Sequence, residues 1–289
     1  MDTEQTVAVF VAANLAEARA LQARLMEEGL ESRIDESGAT PQLLVAPELA
    51  EAAVDAIEAW EAEGPAVRPA GAGAAFRIFF IWLLGQFAGG VVGGVAVAMA
   101  DVPFSVAMLL GSLAGGVAVV VATAVRFKTS AERRDLGLVR ATGPQCAAGL
   151  GLGLLVAVGL FVCAIWVFPP AADTPTNPMV EMAQSTRLGL AIWFVIAVLI
   201  APTTEELLFR GVMLLGFTRS WGTKVAAVGV TVAFVLMHVT QAIDYPPALV
   251  FIGLMSVTAL ALRMRTGSLI PAVLAHFAYN SAIVGLAAM

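Results

Sequence analysis

Apolar residues run almost unbroken through seven stretches of the chain, about 77–100, 104–126, 145–168, 188–218, 223–241, 247–263 and 268–287. Each is near the roughly 20 residues that a helix needs to cross a bilayer core. The fourth is too long for one simple span, and Pro202 inside it predicts a kink or a break into two pieces, so the expected count is seven or eight helices. Ahead of these stretches the pattern shortens. Val7 to Val11 reads as a strand, and Asn14 with Glu17 three residues later resembles a capping box opening a helix that runs to Glu28 and stops at Gly29. Leu30 to Asp35 and Leu43 to Ala46 read as further strands, and Glu48 to Trp60 as an acidic amphipathic helix closing at Gly64. The Pro-, Ala- and Gly-rich run from Pro65 to Gly73 reads as a linker. The expected architecture is a polytopic α-helical membrane protein carrying a small N-terminal α+β domain: a head over 1–64, a linker over 65–75 and a membrane domain over 76–289.

Composition agrees with that division. The 289 residues are 59% hydrophobic and 13% charged, against roughly 45–50% and 25% in soluble domains, and a water-soluble core could not absorb the excess. Residues 1–64 hold 14 of the 22 acidic and 3 of the 16 basic residues, a net charge of −11, while the remainder carries +5. An acidic head with no basic stripe elsewhere argues against nucleic acid as a partner. The first residues are polar and acidic, so no cleavable signal is expected and the first apolar helix serves as the targeting signal. Cys146 and Cys163 fall in one apolar stretch about five helical turns apart and read as inert packing residues.

Lys and Arg concentrate in alternate loops: Arg126, Lys128, Arg133, Arg134 and Arg140, then Arg219 and Lys224, then Arg263 and Arg265. The intervening loops offer Asp101, Asp173, Glu181 and Asp244. The positive-inside bias predicts a multi-pass protein of the inner (plasma) membrane with the head in the cytoplasm and the C-terminus outside. Gly89 with Gly93, Gly90 with Gly94, and Gly111 with Gly115 form small-xxx-small registers, read as packing between the first two membrane helices.

An ionisable group at bilayer depth costs at least about 2.5–3.5 kcal/mol, so those present are expected to be paired or to face a polar cavity. The fourth apolar stretch carries Glu205, Glu206 and Arg210, the fifth carries Phe234 and His238, and the seventh carries His276 and Asn280; both histidines of the chain are among them. Glu206 and Arg210 stand i,i+4 with the acid N-terminal, the favourable order for an ion pair on one face. Glu205 lies about 100° around the helix and is free to face another element. His276 and Asn280 are also i,i+4 on one face. Rises of 1.5 Å per residue put Glu205 and His238 roughly 20 Å deep and His276 roughly 12 Å deep, compatible with one cavity. Peptide hydrolysis needs an activated water and donors for the oxyanion. A desolvated Glu205 with His238 suits the first task, and His276 with the Asn280 amide suits the second.

These residues carry a resemblance. The blocks E-E-x-x-x-R, F-x-x-x-H and H-x-x-x-N, in that order on separate apolar helices, resemble the CAAX protease and bacteriocin-processing family of intramembrane endopeptidases over about 140–289. Ala201-Pro202 and the run from Arg265 through Gly267, Ser268 and Pro271 to His276 are similar to the same family, and Phe251-Ile252-Gly253 approximates its looser fourth block. The resemblance implies that Glu205 is the base, that His238 shares the water, that His276 and Asn280 form the oxyanion site and that Glu206 and Arg210 support it. It implies a membrane-associated protein or peptide as substrate and no cofactor. Two histidines and a glutamate also suffice for a divalent metal such as zinc, although the chain has no H-E-x-x-H pair. Two other classes stay open at this point: a proton-coupled transporter, which also uses buried Glu and His, and a non-proteolytic scaffold or immunity protein. The head resembles a small bacterial signal-transducing domain with a ferredoxin-like half-fold, which implies a partner or a regulatory role for it.

Overall fold

The structure, a computed structural model, describes residues 6–38, 40–62, 70–100, 102–171, 186–243 and 245–287. The linker residues 65–69 and the loop residues Asp101, Asp173, Glu181 and Asp244 lie outside the described residues, as does Met289. The chain divides into two units, Met1–Ala75 with Gly216–Ala226, and Phe76–Leu215 with Ala227–Met289.

In the first unit the expected β-α-β-β-α order is realised as β1 (Val7–Val11), α1 (Leu15–Glu27), β2 (Ser32–Asp35), β3 (Gln42–Val45) and α2 (Ala50–Ala62). The sheet order is β1-β3-β2 and both pairings are antiparallel, with Val7 opposite Val45 and Ser32 opposite Val45 across the central strand. Leu43 and Val45 of that strand meet Leu21 and Leu25 of α1 and Ala53 and Ile57 of α2, a core in which both helices cover one face of the sheet. Asn14 caps α1 through its side-chain oxygen and the Glu17 amide at 3.0 Å, while the Glu17 carboxylate reaches one residue further back than in a regular capping box, to the Ala13 amide at 2.7 Å. Arg19 donates to the Thr218 carbonyl at 2.6 Å, and the Ala72 amide donates to the Ser220 hydroxyl at 2.9 Å. Ala72 is already the first residue of a helix, so the linker ends before it.

The membrane helices are α3 (Ala72–Ala100), α4 (Phe104–Arg126), α6 (Gly143–Val167), α7 (Arg187–Trp221), α8 (Thr223–Met237), α9 (Pro247–Thr266) and α10 (Ile270–Ala287), with a short α5 (Ser130–Asp135) after α4. Five of them, α3, α4, α6, α7 and α9, are long and apolar enough to cross a membrane, and α8 and α10 are shorter apolar helices. The chain is therefore a multi-pass membrane protein. A break at Pro202 does not occur: Arg187–Trp221 is one helix of 35 residues. It widens into π turns at Val195–Ile200 and Leu207–Met213, and the first of these precedes the proline. Wide turns move carbonyls away from the pyrrolidine ring, and the hydroxyls of Thr203 and Thr204 donate to the carbonyls of Leu199 (2.7 Å) and Ile200 (2.9 Å) beside it. Hydroxyl back-bonds and local π adjustment are how a bilayer helix re-satisfies carbonyls that a proline cannot serve.

The glycines explain how close the helices come. Gly89 and Gly93 face α4, where a Cβ on Gly89 would meet Leu110 and Ala114 and one on Gly93 would meet Ala107. That register is internal packing, as expected, while Gly90 and Gly94 have open space. On α6 a Cβ at Gly149 would collide with Pro271 and one at Gly153 with the Ala275 carbonyl, so α6 lies directly against the turn of α10 that precedes His276. Val156, Ala157 and Leu160 of α6, Met255, Ala259 and Leu262 of α9, and Ala272, Ala275 and Tyr279 of α10 fill the wedge between these three helices. Gly267, with φ +69°, ends α9 in the left-handed conformation, and Ser268 then donates to the Val139 carbonyl at 2.7 Å. This ties the start of α10 to the segment leading into α6.

Candidate active site

The site begins with the two glutamates of α7. Glu206 is fully buried, and its Oε1 accepts from Arg210 Nη1 at 3.1 Å, the i,i+4 pair expected from spacing, and from His276 Nδ1 at 3.0 Å. Arg210, also buried, continues outward with Nη2 donating to the Ser256 carbonyl and hydroxyl, both at 2.9 Å, while its guanidinium lies 4.3 Å from the centroid of the Phe234 ring. The two buried charges thereby meet each other, the Ser256 carbonyl and hydroxyl and an aromatic face, while Glu206 Oε2 and Arg210 Nε have no partner among the described residues. Glu206 is structurally committed.

Glu205 points elsewhere. Its Oε2 lies 3.7 Å from Nε2 of His238, with the two side chains 14% and 13% exposed, and accepts no hydrogen bond among the described residues. The apolar pattern predicts His238 inside a longer helix; instead α8 stops at Met237 and His238 occupies the turn that follows. The position matters because the last carbonyls of a helix lack intrahelical partners. The His238 backbone N–H bonds to the Val235 carbonyl at 3.0 Å, which leaves the Phe234 carbonyl to His238 Nδ1 at 2.7 Å. A carbonyl only accepts, so Nδ1 carries a hydrogen, and Nε2 is the ring nitrogen that faces Glu205. Phe234 stacks on the same imidazole at 4.4 Å with 26° between planes, and meets the His276 ring edge-on at 5.8 Å. The F-x-x-x-H spacing thus supplies both a carbonyl and a ring face that fix His238.

On α10, Asn280 Nδ2 donates to the Ala197 carbonyl in the first π turn of α7, at 2.6 Å. That holds the amide plane and leaves its second N–H uncommitted by this bond. His276 gives Nδ1 to a carboxylate that can only accept, so its Nε2 donates only when the ring is an imidazolium. Glu205, His238, His276 and Asn280 all line one cavity of about 300 Å³, whose remaining walls are mostly apolar and include Trp193, Phe234, Ile252 and Tyr279. Among the described residues no three His, Cys, Asp or Glu side chains are grouped as a metal-holding set.

All six residues singled out by sequence are thus in one cluster, but two connections are not visible there. Spacing pairs His276 with Asn280, whereas in the structure His276 bonds to Glu206, and Ser256 carries no motif at all. Both contacts join different helices, and the relative rotation of helices cannot be read from a single chain. The match of residue type is the one available signal, since a buried Arg needs acceptors beyond a single carboxylate.

No curated protein and no solved structure matches the chain. A family model does match, that described as Type II CAAX prenyl endopeptidase Rce1-like, over residues 187–282. The match is shorter than the resemblance over 140–289 and leaves out α6, yet it contains every polar residue of the cluster. The segment that builds the site, from α7 to α10, is thus similar to the Rce1-like type II CAAX prenyl endopeptidases.

Proposed function

We propose that this protein is an intramembrane endopeptidase in which Glu205 and His238 activate a water, His276 and Asn280 hold the oxyanion, and Glu206 and Arg210 position His276. The observation that carries the reading is the 3.7 Å approach of the Glu205 carboxylate to His238 Nε2 in a cavity shared with the other two residues. With Nε2 unprotonated the two atoms are both acceptors, and a water giving one hydrogen to each satisfies both and is polarised for attack. Glu205 takes one proton as the water oxygen adds to the scissile carbonyl carbon. The C=O electron pair moves to oxygen, where the Asn280 amide and the His276 imidazolium stabilise it. Collapse of the tetrahedral species breaks the C–N bond, and the proton held by Glu205 leaves with the amine. The charges balance, with Arg210 against Glu206 and His276 against Glu205.

The mostly apolar walls favour a membrane-associated protein or peptide over a soluble one, and the family description, a CAAX prenyl endopeptidase, names one such substrate. The basic loops favour a place in the inner membrane with the acidic head in the cytoplasm, where a partner of the head would act as recruiter or regulator. Comparing the membrane and secreted proteomes of cells bearing the wild-type chain or Glu205→Ala tests the reading. We expect at least one membrane-associated polypeptide to lose a cleavage product in the variant, with turnover unaffected by a metal chelator; identical proteomes would count against it.

A further inference from the structure

Tyr279 is a wall of the same cavity, 5% exposed, yet unlike His238, His276 and Asn280 its side chain makes no hydrogen bond to the described residues. His238 uses Nδ1 on the Phe234 carbonyl, His276 uses Nδ1 on Glu206, and Asn280 uses one N–H on Ala197. The Tyr279 hydroxyl bonds to none of the described residues, and it is not among the polar atoms sealed away from accessible space. Its ring packs with Val156, Leu160, Met255 and Ala275, a setting that a phenylalanine would fill equally well. A buried phenol ordinarily finds a partner, because an unpaired O–H loses its hydration without return. On α10 the residue stands i+3 from His276, with Asn280 at i+4 and Ile283 at i+7, so one helical face presents all four side chains to the cavity.

We propose that Tyr279 is a substrate-binding residue, its hydroxyl donating to a backbone carbonyl of the bound peptide beside the scissile bond. The proposal rests on the endopeptidase reading and adds to it the polar contact that an apolar cavity must supply. A peptide entering such a cavity leaves water, and each carbonyl that loses water needs a donor. A donor left free in the unliganded protein is available for that carbonyl without breaking a bond first.

The test uses the full chain in proteoliposomes with the member of a quenched-fluorescent apolar peptide library that the wild type cleaves fastest. Tyr279→Phe is expected to raise KM about tenfold, the scale of one hydrogen bond, with kcat within about twofold and the melting temperature equal or higher. Tyr245→Phe, which removes a hydroxyl already bonded to the Phe168 carbonyl at 2.8 Å, should leave KM unchanged. Wild-type KM in Tyr279→Phe, alongside no cleavage by Glu205→Gln, overturns the binding role and leaves the endopeptidase reading standing. A KM increase that comes with a drop of several degrees in melting temperature makes the hydroxyl structural and also overturns it. Undiminished cleavage by Glu205→Gln, or no cleavage of any library member by the wild type, overturns the endopeptidase reading and this proposal with it.

Discussion

Glu205 and Glu206 are adjacent in sequence and face opposite demands. Glu206 binds Arg210 and His276 through Oε1, and Glu205, with no such partner, turns Oε2 toward His238. Helical rotation of about 100° per residue separates them, which is why this division is legible in the sequence alone. The same rule cannot reveal that Glu206 also holds His276, since that bond crosses from α7 to α10. The two positions should respond differently to mutation. Arg210→Ala leaves the Glu206 carboxylate buried with His276 Nδ1 as its remaining partner, a loss of about 3–5 kcal/mol for a pair this dry, and thermal unfolding in detergent should show a large fall. Glu205→Gln keeps shape and removes a charge that no ion pair with Lys or Arg requires, so its melting temperature should stay close to wild type. Equal destabilisation of the two variants would mean that the pair does not hold the site.

Elements position these residues to different degrees. All seven apolar stretches form helices at nearly the expected bounds, because runs of apolar residues in a bilayer leave the backbone no alternative to internal hydrogen bonding. Two details are not legible in the sequence. Pro202 suggests a break in α7, but π turns and threonine hydroxyls accommodate it, and nothing in local propensity weighs those devices against a break. The fifth stretch, read as far as 241, also runs past the end of α8 at Met237, because no Gly or Pro marks the stop before the 3-10 turn Val239–Gln241. The glycines of α6 carry no chemistry in the sequence, yet Gly149 and Gly153 set how closely α6 meets α10. Gly153→Ala should therefore push α10 away through the Ala275 carbonyl, one residue before His276. Overpacking of this kind costs about 1–3 kcal/mol. We expect a melting temperature several degrees lower and a fall in kcat, whereas Gly151→Ala, where a Cβ meets open space, should change neither. Differential scanning fluorimetry with a peptide assay on the same preparations checks both.

At the scale of the molecule, the head and the Glu205–His238–His276–Asn280 cluster lie in different units. Charge and composition mark the division, since a net charge of −11 over 64 residues has no place in a bilayer. What the head does is not legible, because a β-α-β-β-α fold without a chemical motif identifies an architecture and not a partner. Deleting residues 1–68 should leave cleavage of a short model peptide intact while changing cleavage of the natural substrate. Loss of peptide cleavage in a folded truncation would make the head part of the enzyme. In intact cells a tag at residue 1 should be protected from an external protease and a tag after Met289 accessible, and the reverse pattern would invert the orientation read from the basic loops. The central claim, that Glu205 is the base of an intramembrane endopeptidase, is met most directly by the cleavage rate of purified Glu205→Gln in proteoliposomes at a melting temperature equal to wild type. That rate is expected to fall to the level of protein-free vesicles; wild-type turnover in the variant would contradict the claim.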